Sequence, residues 1–216
     1  PQTMTLESLS SQGLTEVPKY GSLSVTVPGT PAAWAALSKR FGRMPLSTSM
    51  ASAIELAQTG FPVSPSVAFA WQQATQVFRK QLQGEHFQHW FDTFAPERAP
   101  MAGEVWRSAA HAQTLQSIAD SGAESFYRGP LAEQIAAFVK SAGGHIGVKD
   151  LGDFAVDWCD PISVNYRGYD VWEIPPNGHG LVALMALNIL KGYAFSERDS
   201  VLTHHRQIEA MKLAFA

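Results

Sequence analysis

The chain has 216 residues, 45% of them hydrophobic, 11% aromatic and only 16% charged, with a formal net charge of −3. A typical soluble domain is about 25% charged and a disordered one is poor in aromatics, so a composition with six Trp excludes disorder. Nineteen acids against sixteen Lys and Arg leave no basic face, so no nucleic-acid partner is expected, and no run of about 18 apolar residues is present to span a membrane.

Residues 1–22 read as polar loop, punctuated by Gly13, Pro18 and Gly21. Leu23, Val25 and Val27 alternate with Ser24 and Thr26, which predicts a strand. Pro28-Gly29 turns the chain, and Thr30 is the expected N-cap of a helix with Pro31 at its first position. Trp34, Leu37 and Phe41 recur on one face before Gly42 stops it. Further helices are expected over 47–59 (Met50, Ile54, Ala57), from Ser64-Pro65 onward (Val67, Trp71, Ala74, Phe78, Leu82), over 104–121 and over 130–141. Ile162–Asn165 and Tyr169–Ile174 flank Arg167-Gly168 as a hairpin. A sharp loop, Pro175-Pro176-Asn177-Gly178-His179-Gly180, leads to the apolar helix Leu181–Leu190 and to a last helix over 200–216. The Gly/Pro-rich connectors are too short to be domain linkers, so no internal boundary is drawn.

Chemical motifs are sparse. There is no G-x-S-x-G elbow and no P-loop, and Gly178-His179-Gly180 has too few glycines for a dinucleotide turn. His86 and His89, and the adjacent His204 and His205, lack the third ligand and the spacing of a zinc site, so no metal is expected. Asp150 and Asp153 read as turn caps. The single Cys159, beside Trp158, reads as a small buried hydrophobe. Both termini read as cuts within a longer polypeptide, because the chain lacks an initiator Met and stops inside a helical pattern.

Ordered segments nevertheless carry a resemblance. They run from Val27-Pro28-Gly29-Thr30 with Trp34, through Arg40-Phe41-Gly42-Arg43-Met44-Pro45, Ala53–Ala57 and Gly60–Ser64, to Phe126-Tyr127-Arg128-Gly129. Gly143-Gly144, Asp150-Leu151, Tyr166-Arg167-Gly168-Tyr169, Pro175-Pro176, Leu187–Leu190 and Ile208–Ala214 follow. In order and spacing they resemble the γ-glutamyltransferase family along nearly the whole chain, at the middle of its larger subunit.

The resemblance implies an N-terminal-nucleophile hydrolase with a four-layer αββα sandwich, of which this segment supplies mostly helices and a few short strands. It implies a precursor that cuts itself before a Thr. The freed Thr then opens a small subunit and attacks a small-molecule amide, its own α-amine serving as base. The small subunit is thus the implied partner, and no cofactor is implied. The family's carboxylate-binding Arg precedes a Pro that Pro1 resembles. Thr30 and Thr203 are unsuited to the nucleophile's role, since neither becomes a free N-terminus without a cut at or inside a helix. No catalytic residue is carried over, and the chain alone is expected to be inactive.

One departure bears on specificity. The family's Pro-Pro-x-Ser-Ser-Gly-Gly loop is here Pro-Pro-Asn-Gly-His-Gly, which with Trp34 resembles a divergent branch that includes an oxamate amidohydrolase of bacterial purine breakdown. Asn177 and His179 become candidate substrate-binding residues. The competing expectation is a plain turn, with Gly178 and Gly180 at positive φ and Asn177 capping the next helix. Rival functions are γ-glutamyl transpeptidation, β-lactam side-chain acylation and a non-enzymatic helical scaffold.

Overall fold

Serine hydroxyls open three of the longer helices. Ser64, Ser108 and Ser200 accept the N–H groups of Val67 (3.4 Å), His111 (3.3 Å) and Thr203 (3.2 Å), satisfying donors that a helix start leaves unpaired. The computed structural model describes residues 1–216, which fall into two units, Pro1–Val156 and Asp157–Ala216. The first holds α1 (Leu6–Ser10), α2 (Thr30–Phe41), α3 (Leu46–Thr59), β1 (Phe61–Pro62), α4 (Pro65–Gln81) and α5 (Gln88–Phe94). It continues through β2 (Val105–Trp106), α6 (Ala109–Ser121), α7 (Glu124–Arg128), α8 (Pro130–Ser141) and α9 (Val148–Gly152). The second holds β3 (Ile162–Tyr166), β4 (Tyr169–Glu173), α10 (Gly180–Leu190) and α11 (Val201–Phe215). As the composition and spacing predict, helix dominates and the strands are short.

In the first unit α3 lies along α6, and α7 packs against α6, α8 and α9. The buried cluster between them is rich in alanine (Ala119, Ala123, Ala132, Ala136), which lets helices approach closely, and is filled out by Met50, Ile118, Tyr127, Val139, Ile146 and Leu151. Tyr127 ties it together. Its hydroxyl donates to the Pro28 carbonyl (2.6 Å) and accepts the Ala32 N–H (3.2 Å), and its ring stacks on Phe154 at 5.4 Å. Burial raises the pKa of the phenol, so it stays a donor. A second, aromatic cluster joins α4, α5 and β2 through Trp71, Phe78, Trp90, Phe94 and Trp106.

Several expectations need correction. Leu23–Val27 is not a strand: Ser22–Ser24 form a 3-10 turn, and Val25 continues extended with no neighbouring strand to pair with. Alternation alone cannot supply a ladder partner. Gly29, not Thr30, caps α2, and its Trp34, Leu37 and Phe41 are exposed while Ala32 and Ala35 face the core. Trp34 and Leu37 instead line an open groove with Leu46, Met50 and Leu115. The helix expected from 104 begins at Ala109, since Val105–Trp106 pair with Phe61–Pro62. The supposed loop 1–22 contains α1, closed by a reciprocal Thr5–Ser8 capping box. Cys159 is exposed, because no element covers the irregular stretch around it.

The strands and helices of the second unit form where the sequence predicts. β3 and β4 pair antiparallel from Ile162↔Glu173 to Tyr166↔Tyr169. Arg167 (φ 55°) and Gly168 (φ 88°) make the turn, both in the left-handed region that a two-residue hairpin loop requires. α10 packs on both strands, and α11, whose buried residues are Thr203, Ala210 and Ala214, packs on α10.

Candidate functional site

The two site residues that the sequence nominates lie in the connection between β4 and α10. Asn177 and His179 are both exposed. His179 is the N-cap of α10 but makes no side-chain cap, and its ring lies 5.8 Å from that of Phe215 at the end of α11. The plain-turn expectation fails in its details. Neither Gly178 nor Gly180 has positive φ, and Asn177 does not cap the helix. Gly180 is needed for space instead. A Cβ there would lie 2.5 Å from Glu173 Oε2 and 2.8 Å from Glu173 Cβ, so the last residue of β4 rests directly on the first turn of α10. The loop thus presents an amide, an imidazole and the start of an 11-residue helix on one exposed edge. These groups can donate hydrogen bonds to a carboxylate or amide oxygen.

No nucleophile–base pair accompanies them. Thr203 is buried in the first turn of α11, its hydroxyl donating to the Glu197 carbonyl at 2.6 Å, and Thr30 lies in the first turn of α2. His86 and His89 lie on exposed surface, and the His89 ring meets Phe138 at 5.8 Å. His204 Nε2 lies 4.0 Å from Asp199.

Sequence reasoning recognised Asp150 and Asp153 as caps but missed what else they hold. Asp150 accepts the N–H groups of Gly147 (2.9 Å) and Gln2 (2.7 Å), which lower its pKa, and Asp153 accepts the Gln2 side-chain amide (3.2 Å). Thr3 Oγ1 donates to the His145 carbonyl (3.1 Å) and lies 3.2 Å from His145 Nδ1. His145 Nε2, on the other side of the ring, is buried without a hydrogen-bond partner. Only the fold brings residues so far apart in sequence together.

The segments that carry the sequence resemblance therefore have visible work. Val27–Thr30 meets Phe126–Gly129 at the Tyr127 hydroxyl, a Cβ at Gly29 would lie 3.1 Å from Phe154 Cζ, and Leu151 is fully buried. The sequence matches the family described as Gamma-glutamyltranspeptidase over residues 1–216. The chain belongs to that family.

Among solved structures, it is similar to the cephalosporin acylase of Bacillus halodurans, at 53% identity and a TM-score of 0.96, covering 100% of this chain and 40% of that one. The gamma-glutamyltranspeptidase of Helicobacter pylori is 29% identical with a TM-score of 0.87, covering 100% of this chain and 62% of that one. The oxamate amidohydrolase proenzyme of Klebsiella pneumoniae is 32% identical, over 98% of this chain and 40% of its own length. The glutathione hydrolase-like YwrD proenzyme of Bacillus subtilis is also 32% identical, over 94% and 38%. The chain thus spans about two-fifths of the length of these curated relatives. No helix is long and apolar enough to cross a membrane.

Proposed function

We propose that the chain is part of the larger subunit of an autoprocessing, Thr-nucleophile amidohydrolase that cleaves a small amide bearing a carboxylate. The observation that carries this reading is the family match across all 216 residues. The word proenzyme in the names of the Klebsiella and Bacillus relatives supports autoprocessing. In this reading the N-terminal Thr of the small subunit attacks the amide carbonyl with its α-amine as base. The amine or ammonia departs, and water or an acceptor amine takes the acyl group. Asn177 and His179 donate hydrogen bonds to the bound substrate. The helices and hairpin described above flank the two central sheets of the αββα sandwich.

The altered Pro-Pro-Asn-Gly-His-Gly loop favours an oxamate-type substrate over a γ-glutamyl one. The 53% identity to the Bacillus halodurans protein favours a second reading, removal of an acyl side chain from a cephalosporin. The full-length protein is the material for the test. A denaturing gel should show two bands. Ammonia from oxamate, glutamate from a γ-glutamyl anilide, and the free amine of an acylated cephalosporin then separate the substrates. Acceleration by a dipeptide acceptor marks a transpeptidase. A precursor that stays whole and releases none of the three products overturns the proposal.

A further inference from the structure

The hairpin turn contains an anomaly that the proposed amide chemistry does not use. Two-residue turns of this kind favour Asn or Asp followed by Gly, because both central residues take positive φ. Here the first is Arg167, at φ 55°, a conformation that a long side chain adopts at a cost. Its guanidinium carbon lies 5.2 Å from the centre of the Tyr166 ring and 5.0 Å from that of Phe195. A second guanidinium, that of Arg206 on α11, lies 5.9 Å from the same Phe195 ring and 5.0 Å from Tyr193. One aromatic ring is therefore shared by two cations drawn from separate elements of the second unit.

The two charges are not neutralised locally. Neither guanidinium has a carboxylate within 4.0 Å. Of the acids close by in sequence, Asp170 accepts from Asn165 at 2.8 Å, Glu209 pairs with Lys212 at 2.8 Å, and Asp199 faces Arg198 and His204. Arg206 gives one N–H to the Ala194 carbonyl at 2.9 Å, which fixes its plane and leaves its other donors free of any protein acceptor. Guanidiniums with spare forked donors are suited to oxyanions, which they bind bidentately.

We propose that Arg167, Phe195 and Arg206 form a binding site for an oxyanion, the phosphate or carboxylate group of a small ligand. The aromatic rings hold the guanidiniums in place, and the strained turn delivers the first of them. The site depends on no residue of the proposed substrate loop.

The test is calorimetric titration of the full-length protein with inorganic phosphate and, separately, with succinate, the ionic strength held constant with sodium chloride. Saturable one-to-one binding is expected, and the preferred anion names the class. Arg206→Gln should weaken it at least about tenfold, the loss of a bidentate contact. Arg167→Asn is the sharper variant, because Asn-Gly suits the turn. Its thermal midpoint should hold or rise while anion affinity falls at least about tenfold. Absence of saturable binding by either anion, or unchanged affinity in Arg167→Asn, overturns the proposal.

Discussion

At Glu104 two physical effects oppose each other and one wins. Arg98 grips its carboxylate through two N–H groups, at 2.6 and 2.9 Å, and the Met101 N–H adds a third bond at 2.8 Å. Together they outweigh desolvation and hold its pKa down to about 2, against an ordinary value of 4.5. Because the folded value lies below the unfolded one, the contribution is complete above about pH 4.5 and is lost as pH falls through about 2. The expected outcome is a Glu104 carboxyl resonance with a midpoint near 2. Glu104→Gln should flatten the acid dependence of stability across that window, and added salt should shrink the difference, since the pair is exposed. Asn177 and His179 call for a kinetic test. Asn177→Ala and His179→Ala in the full-length enzyme should each raise KM about tenfold, the worth of one hydrogen bond of about 1.4 kcal/mol, with processing unchanged. Unaltered KM in both would remove them from the substrate site.

The elements show where local sequence signals suffice and where they mislead. The Ser64 cap and the Gly stops at 42 and 60 mark helix ends where they are predicted, because they act on backbone groups a few residues away. The face of a helix is a different matter. Trp34, Leu37 and Phe41 have helical periodicity, yet the core takes the alanines on the other side of α2. Gly60 links both levels, since it ends α3 at φ 99° and lies against β2. A Cβ there would lie 2.5 Å from Val105 Cγ1 and 3.2 Å from the Trp106 carbonyl. Gly60→Ala should therefore destabilise the chain by about 1–3 kcal/mol in chemical denaturation, from backbone strain and displacement of β2. An unchanged denaturation midpoint would show that β2 yields without resistance.

On the scale of the whole molecule, the low charge has a structural counterpart. Helix α11 buries only small side chains (Thr203, Ala210, Ala214) and turns large ones outward, among them Val201, Ile208, Leu213 and Phe215, with Val201 87% exposed. Tyr169, Trp172 and Ile174 of the hairpin region and Trp34 and Leu37 of α2 are exposed as well. A helix apolar on both sides belongs to a structure with material on both sides. By itself the 216-residue chain should self-associate at micromolar concentration in light scattering, and paired Ile208→Glu and Phe215→Glu substitutions should reduce this. A strictly monomeric wild-type chain would favour the scaffold reading instead.

What the sequence by itself determined is what short-range physics controls: an α-rich chain, most helix ends, the Arg167-Gly168 hairpin and, through ordered motifs, the family. These features depend on neighbours within a few residues, or on patterns that survive without coordinates. The tertiary structure alone decided which helix faces are buried, that Leu23–Val27 finds no strand partner and that Cys159 is exposed. It also decided that Gly180 answers to Glu173, and that two arginines 39 positions apart share Phe195. Each of these depends on which distant segment arrives alongside, and packing across the fold settles that, not the propensity of any one stretch.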